Sequence, residues 1–193
     1  ALHPYEQLRS VNVHGTMSVL ALAARAGART VVHVSSGAAL NGYGTGPFSP
    51  DHPLGEFGNL VDCSGYAQSK WMAERLVWAA SRALPGVAHV VLRPGVVGPS
   101  RTGGSNMRDF DARLVRAIVE MGMAPGEDGP LDQTPADYLG RLAVELAVMP
   151  SRAPCSRGDN LYFCNVQNPY GSPMLGEVVE AINNHYGSVR RVP

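Results

Sequence analysis

The sequence predicts an α/β fold built around a parallel sheet, and three observations support this prediction. Segments with helical periodicity alternate with short apolar segments over residues 1–99, in the order helix, strand, loop, helix, strand. The short segments, residues 30–34 and 88–93, are rich in valine, as expected of strands that are buried on both faces. Hydrophobic residues make up 45% of the 193-residue chain and charged residues 17%, which suits a globular fold with a substantial core.

Two predicted helices flank the first strand in the sequence. Residues 5–26 carry apolar side chains at helical spacing and are followed by Gly27, a typical C-cap. Residues 63–82 form the second helix, with Ser64 as its N-cap. Residues 41–59 are rich in Gly, Pro and Asp and predict a long irregular loop of the kind that often carries function. The later predicted elements are helices at residues 110–121, 135–149 and 174–186 and a strand at residues 160–165.

Composition argues against several classes of partner. The 16 basic and 16 acidic residues give a net charge of zero, so we expect neither a nucleic-acid partner nor an anionic membrane surface. The longest apolar run near the start, residues 19–24, is far too short to span a bilayer. The six histidines show no metal-ligand spacing, so we expect no metal site. The cysteines Cys63, Cys155 and Cys164 are odd in number and include no Cys-x-x-Cys pair, which favours a reducing, cytoplasmic setting.

The second helix carries the candidate catalytic pair. Tyr66 and Lys70 are four residues apart, so they share one helix face. An ammonium beside a phenol favours the phenolate, which makes such a pair a general acid or base. Ser36 follows the first strand, where parallel sheets place ligand-contacting groups. An ordinary amphipathic helix and a turn serine are the alternative interpretations. Glu74 lies one turn further on and could pair with Lys70, in the less favourable Lys-before-Glu order.

Several motifs occur in the order typical of one enzyme family. They are Asn-Val-x-Gly-Thr at residues 12–16, Val-Ser-Ser at 34–36, Tyr-x-x-x-Lys at 66–70 and Arg-Pro-Gly-x-x-Gly at 93–98. Together they resemble the extended short-chain dehydrogenase/reductase family. More narrowly, the chain resembles the thioester reductase domains of non-ribosomal peptide and polyketide synthases, with relatives in carboxylic acid reductases and aminoadipate reductases. The narrower resemblance rests on residues 3–9 (HPYEQLR), 65–74 (GYAQSKWMAE), 134–138 (TPADY) and 162–169 (YFCNVQNP).

The resemblance implies the C-terminal part of a Rossmann-like, doubly wound parallel sheet with a small substrate-binding lobe. Residues 1–99 would belong to the cofactor-binding domain and residues 100–193 mostly to the lobe, with residues 134–150 packing back on the Rossmann part. The family's glycine-rich phosphate loop would precede residue 1. We therefore expect a fragment that lacks the N-terminal half, leaves a hydrophobic sheet edge open, and by itself neither binds the cofactor tightly nor catalyses hydride transfer.

The resemblance also implies a reaction and a set of roles. The reaction is the NADPH-dependent reductive release of an acyl or peptidyl thioester from a phosphopantetheine-carrying carrier domain, giving an aldehyde or, after a second hydride, an alcohol. Ser36 and Tyr66 would bind the carbonyl oxygen, and Tyr66 would deliver the proton. The implied contacts to the cofactor come from Tyr66, Lys70, Pro94, Gly95, Val96 and Val97.

Three alternatives remain open from the sequence. A nucleotide-sugar epimerase or dehydratase of the extended family uses the same triad, and fold alone does not exclude it. A non-redox release cyclase is disfavoured because such relatives often lose the Tyr or the Lys. A non-catalytic dinucleotide-binding regulator would not need Ser36, Tyr66 and Lys70 together.

Overall fold

A computed structural model describes residues 3–43, 48–50, 52, 54, 57–187 and 189–192. In chain order, the helices and strands are α1 (Tyr5–Arg9), a π-helical segment (Ser10–His14), α2 (Gly15–Arg25), β1 (Thr30–Val34), α3 (Gly65–Ala83), β2 (Ala88–Pro94), β3 (Val96–Gly98), α4 (Phe110–Met121), β4 (Met123–Pro125), β5 (Gln133–Pro135), α5 (Ala136–Val148), β6 (Cys155–Arg157), β7 (Leu161–Val166), α6 (Leu175–Tyr186) and β8 (Arg190–Val192). Short 3-10 helices lie at Gly37–Tyr43, Phe57–Leu60 and Pro150–Arg152. The mixed α/β class predicted from the sequence is confirmed.

The main sheet has four strands in the order β1-β2-β7-β6. β1, β2 and β7 run parallel, and β6 joins the far edge antiparallel to β7. β2 lies between β1 and β7, and every residue from His89 to Pro94 is buried. The apolar sequence of β2 therefore matches its central place in a parallel sheet.

One compact unit contains this sheet and the helices α1, α2 and α3; it comprises Ala1–Gly95 and Gly140–Val166. Its core includes Trp71 and Trp78 of α3 together with Val91 of β2 and Phe163 of β7. Trp78 and Phe163 pack with ring centres 5.3 Å apart. The helix that carries Tyr66 and Lys70 is thus held rigidly on the sheet by its aromatic face.

The other compact unit comprises Val96–Leu139 and Gln167–Pro193. It holds two small parallel pairs, β3 with β5 and β4 with β8, and the helices α4 and α6. Its core consists of Ile118, Ala124, Leu175, Val179 and Ile182.

The two compact units do not follow the sequence-based boundary at residues 99/100, because β3 belongs to the second unit and β6 and β7 belong to the first. The sequence assigned residues 151–193 mostly to the lobe, whereas β7 pairs with β2 along six residues of the main sheet. The buried pattern of β7 explains this pairing, since Leu161, Phe163 and Val166 need a neighbour on the sheet. The assignment of one part to the cofactor and the other to the substrate stays a prediction.

β1 forms the outer edge of the main sheet within the described residues, because it pairs with β2 alone. A groove of about 390 Å³ runs along this strand and is lined by residues of β1, of α2 and of α3. Several apolar side chains of α2 are exposed, among them Met17, Val19 and Leu22.

Among the described residues, no helix combines the length and the apolar character needed to cross a membrane.

Candidate active site

Ser36 lies in the turn that leaves the carboxyl end of β1. The backbone N–H of Ser35 still donates to the Leu92 carbonyl oxygen at 2.7 Å, so the parallel ladder continues one residue past the strand. The side chain of Ser36 is only 9% exposed, and its Oγ accepts a hydrogen bond from the N–H of Ala38 at 3.2 Å. That bond fixes the hydroxyl oxygen and leaves its proton free to be donated.

Tyr66 occupies the first turn of α3. The N-cap Ser64 accepts a hydrogen bond from the Ala67 N–H at 3.2 Å, as the sequence predicted. Gly65 is required here, because a Cβ at this position would lie 2.3 Å from the backbone nitrogen of Tyr5. The segment before α1 therefore packs directly against the helix start and fixes the position of Tyr66.

Lys70 connects α3 to the end of β1. Its Nζ donates to the Val34 carbonyl oxygen at 3.1 Å and lies 5.8 Å from the centre of the Tyr66 ring. Burial lowers the pKa of the Lys70 ammonium below its ordinary value. The pKa of the neighbouring His33 is lowered to about 4, first by burial and then by the positive charge of Lys70. His33 is therefore neutral at physiological pH.

A buried ionic network lies beside the site and corrects one sequence-based expectation. Glu74 pairs with Arg93 and not with Lys70. The Arg93 Nε donates to both carboxylate oxygens, at 3.0 and 3.2 Å, and the Ser35 Oγ donates to one of them at 2.8 Å. The Arg93 guanidinium also donates to the Pro50 carbonyl oxygen at 2.9 Å. The pairing with Lys70 was wrong because Glu74 points into the core, where Arg93 of β2 is its neighbour.

Asn12 also lies near the site, although the sequence did not predict a place for it there. Its Nδ2 donates to the Ser69 Oγ at 2.9 Å, and the Ser69 hydroxyl donates to the Tyr66 carbonyl oxygen at 2.8 Å. Asn12 lies in the π-helical segment and, with Lys70, lines the groove along β1. The sequence signal for Asn12 is the Asn-Val-x-Gly-Thr motif, which by itself indicates the family and gives no place in the site.

Pro94 to Val97 follow the central strand. Pro94 ends β2 and is buried. Gly37 lies in the turn after β1, and a Cβ on it would lie 3.9 Å from the Pro94 carbonyl oxygen. The turn after β1 therefore lies beside the turn after β2. Gly95 is the last residue of its unit before the chain enters the second unit at Val96. Val96 is 42% exposed.

The described residues thus bring Tyr66, Lys70 and the end of β1 together at one sheet edge. The distance between the Ser36 and Tyr66 oxygens, for which we expect roughly 3–5 Å, stays a prediction, as do the roles assigned to these residues. The donors present fit the nicotinamide-ribose end of a dinucleotide, because the Lys70 ammonium has two further protons for ribose hydroxyls. A strand, glycine loop and helix that could hold a pyrophosphate do not occur before β1 in residues 3–29, which are helical up to Arg25.

Comparison with known proteins identifies the family. Residues 1–143 match the NAD-binding family described as "Male sterility protein". The chain belongs to this family of extended short-chain dehydrogenases/reductases. The resemblance recognised in the motifs is therefore confirmed.

Two of its relatives are reductases. The L-2-aminoadipate reductase large subunit of Eremothecium gossypii is 37% identical over 157 residues, which cover 74% of this chain and 11% of the relative. The terminal R domain from the myxalamid PKS-NRPS biosynthetic pathway has a TM-score of 0.75 and 38% sequence identity, covering 100% of this chain and 46% of that one. The chain therefore spans a small part of this curated relative and less than half of the R domain structure.

An epimerase shares the fold at lower similarity. The UDP-Glc/GlcNAc 4-epimerase from Campylobacter jejuni has a TM-score of 0.67 and 17% identity, covering 100% of this chain and 61% of that one. At this identity the likeness shows the Rossmann-like fold alone.

Proposed function

We propose that this chain is the part of a thioester reductase domain that carries the catalytic residues. The complete protein would use NADPH to reduce an acyl or peptidyl thioester on a carrier domain to an aldehyde. The observation that carries this proposal is the position of Lys70, which holds the end of β1 and lies beside the Tyr66 ring on the same helix face. The 38% identity to the myxalamid R domain, against 17% to the epimerase, favours a thioester over a nucleotide sugar.

The geometry has a direct use in this reaction. The hydroxyl groups of Ser36 and Tyr66 would donate hydrogen bonds to the thioester oxygen, where negative charge develops. Tyr66 would then transfer its proton to that oxygen, and Lys70 would stabilise the phenolate that remains. NADPH would supply the hydride, and Pro94, Gly95, Val96 and Val97 would hold its nicotinamide end. Hydride and proton together give a thiohemiacetal, whose C–S bond breaks to release the aldehyde and the free carrier thiol.

The buried network would keep this arrangement rigid. Arg93 belongs to β2, Glu74 to α3, and Ser35 immediately precedes the candidate Ser36. Their hydrogen bonds join the three elements that carry Ser36, Tyr66 and Pro94. A shift of about 1 Å in such a site is enough to cost roughly 100-fold in rate.

The partner in this proposal is a carrier domain with a phosphopantetheine arm, together with a small acyl substrate. The name of the myxalamid R domain supports it, since that domain belongs to a PKS-NRPS pathway. We also propose a cytoplasmic location, supported by the three cysteines, which are free thiols.

The test uses a polypeptide that contains the whole reductase domain. Incubated with NADPH and an acyl-phosphopantetheine thioester, it should consume NADPH and release equal amounts of aldehyde and free thiol. A UDP-sugar incubated with NAD serves as the competing substrate and should remain unchanged. Epimerisation of the sugar without thioester reduction would contradict the proposal.

A further inference from the structure

The second unit contains a mostly apolar cavity of about 310 Å³. Val97 of β3, Val115 of α4 and Val178 of α6 are among the residues that line it. Its volume lies at the lower end of the range for small-molecule sites, and its apolar walls suit an alkyl or acyl chain.

One carboxylate is buried in this apolar wall. Asp111 is 8% exposed, lies in the first turn of α4, and lines the cavity. Its Oδ2 accepts a hydrogen bond from the Gln133 Nε2 at 2.7 Å. Within the part of the chain that the structure describes, no lysine, arginine or histidine pairs with Asp111. Buried carboxylates are usually paired with a cation, so this one has capacity for a positively charged ligand.

The other charged groups of the cavity leave it negative. Asp109 also lines it and accepts a hydrogen bond from Asn106 at 2.7 Å. Arg116 lines it too, but its guanidinium pairs with Glu120 at 2.7 Å on the exposed face of α4. The lining therefore carries two carboxylates and one cation that is already neutralised.

Gln133 holds the Asp111 carboxylate in a fixed orientation. In the pairing of β5 with β3, Gln133 lies opposite Val96. The Gln133 side chain extends over Gly98, where an added Cβ would lie 2.9 Å from the Gln133 Cβ. The absence of a side chain at residue 98 thus lets Gln133 lie across β3, from where its amide reaches Asp111. The alternative is that the hydrogen bond between Asp111 and Gln133 only joins α4 to β5. In that case Asp111 would have no influence on which substrate is accepted.

We propose that this cavity receives the acyl group of the substrate and that Asp111 selects acyl groups bearing an ammonium. This inference rests on the proposed function for the reaction, but the binding site itself is argued from the second unit alone. The ammonium would donate to the second oxygen of Asp111, and the chain carbons would lie against Val97, Val115 and Val178. A charge-assisted hydrogen bond in an apolar cavity is strong enough to give about 10-fold or greater selectivity.

The test compares two acyl-phosphopantetheine thioesters of equal length, one ending in an ammonium and the other in a methyl group. The whole reductase domain should show at least about 10-fold higher kcat/KM for the ammonium substrate. Asp111→Asn should lose most of this preference, measured as the ratio of kcat/KM for the two substrates. Asp132→Asn is the matched control, because Asp132 is an exposed carboxylate of the same unit that does not line the cavity, and it should keep the preference.

A binding measurement separates this inference from the proposed reaction. Calorimetry should show that hexylammonium binds the wild-type domain more tightly than 1-hexanol does, and that Asp111→Asn removes the difference. If neither thioester is reduced but this difference is found, the proposed reaction fails and the ammonium site stands. Equal kcat/KM for the two thioesters in the wild-type domain would overturn the inference, even if Asp111→Asn failed to fold.

Discussion

Replacing Glu74 by Gln tests the buried network that holds the candidate site together. Glu74 is fully buried and Arg93 is 3% exposed, so neither charge is screened by water. The glutamine has nearly the same shape but no charge, and one of its oxygens is replaced by an NH2 group that would face the donors Arg93 and Ser35. The arginine is then left as an uncompensated buried charge.

Breaking a buried ion pair in this way costs about 3–5 kcal/mol. We expect the free energy of unfolding to fall by about 3 kcal/mol, since the amide oxygen can still accept one bond from Arg93. Urea unfolding of the whole reductase domain, followed by tryptophan fluorescence, measures this change because Trp71 and Trp78 lie on α3 near the network.

Two further variants sharpen the result. Glu120→Gln breaks an exposed pair with Arg116 and should leave the free energy of unfolding nearly unchanged. The double variant Glu74→Met with Arg93→Met leaves no buried charge, so its cost should fall below that of Glu74→Gln alone. A loss of under about 1 kcal/mol for Glu74→Gln would refute the argument that this pair stabilises the fold.

Three other properties follow from the same structure. Gly65→Ala should lower the free energy of unfolding by about 1–3 kcal/mol, because the new Cβ meets the backbone before α1. Gly140→Ala has open space around the new Cβ and should not lower it. Thermal unfolding of both variants checks this, and equal melting temperatures would contradict it. His33 binds its proton more weakly in the folded chain than in the unfolded chain. Its contribution to the free energy of unfolding should therefore be fully present above pH 6.5 and be lost as the pH drops toward about 4. His33→Gln should weaken this dependence in acid titrations, and an unchanged profile would exclude His33 as its source. The 193-residue chain by itself should not bind NADPH with micromolar affinity in calorimetry, because residues 3–29 provide no pyrophosphate site.

The sequence predicted the long elements well because their hydrophobic patterns are local. The strand at residues 30–34 and the helix at 110–121 have the same bounds in the structure, and Gly27 has the positive φ of 64° expected of a C-cap. The π-helical segment was not predicted, since residues 5–26 have an ordinary helical pattern. Asn12 of this segment donates to Ser69 of α3, a contact between residues far apart in the chain that periodicity does not reveal.

The short strands were also missed, for the same physical reason. β3 and β5 have three residues each and are defined by pairing with each other across a long stretch of chain.

In the candidate site, too, local spacing was predictable and contacts between distant residues were not. Tyr66 and Lys70 were found because helical spacing places them on one face, whereas the pairing of Glu74 with Arg93 depends on the packing of α3 against β2.

The central claim is that Tyr66 and Lys70 act together on a thioester carbonyl. The most direct measurement is single-turnover reduction of an acyl-thioester by NADPH in the whole reductase domain, comparing the wild type with Tyr66→Phe and Lys70→Ala. Tyr66→Phe keeps the ring and removes the proton donor, so the rate should fall by at least about 100-fold. Lys70→Ala should fall as far or further, because it also removes the bond to the Val34 carbonyl oxygen and the cation beside Tyr66. If both variants, shown to be folded, reduced the thioester at nearly the wild-type rate, the assignment of the active site would be wrong.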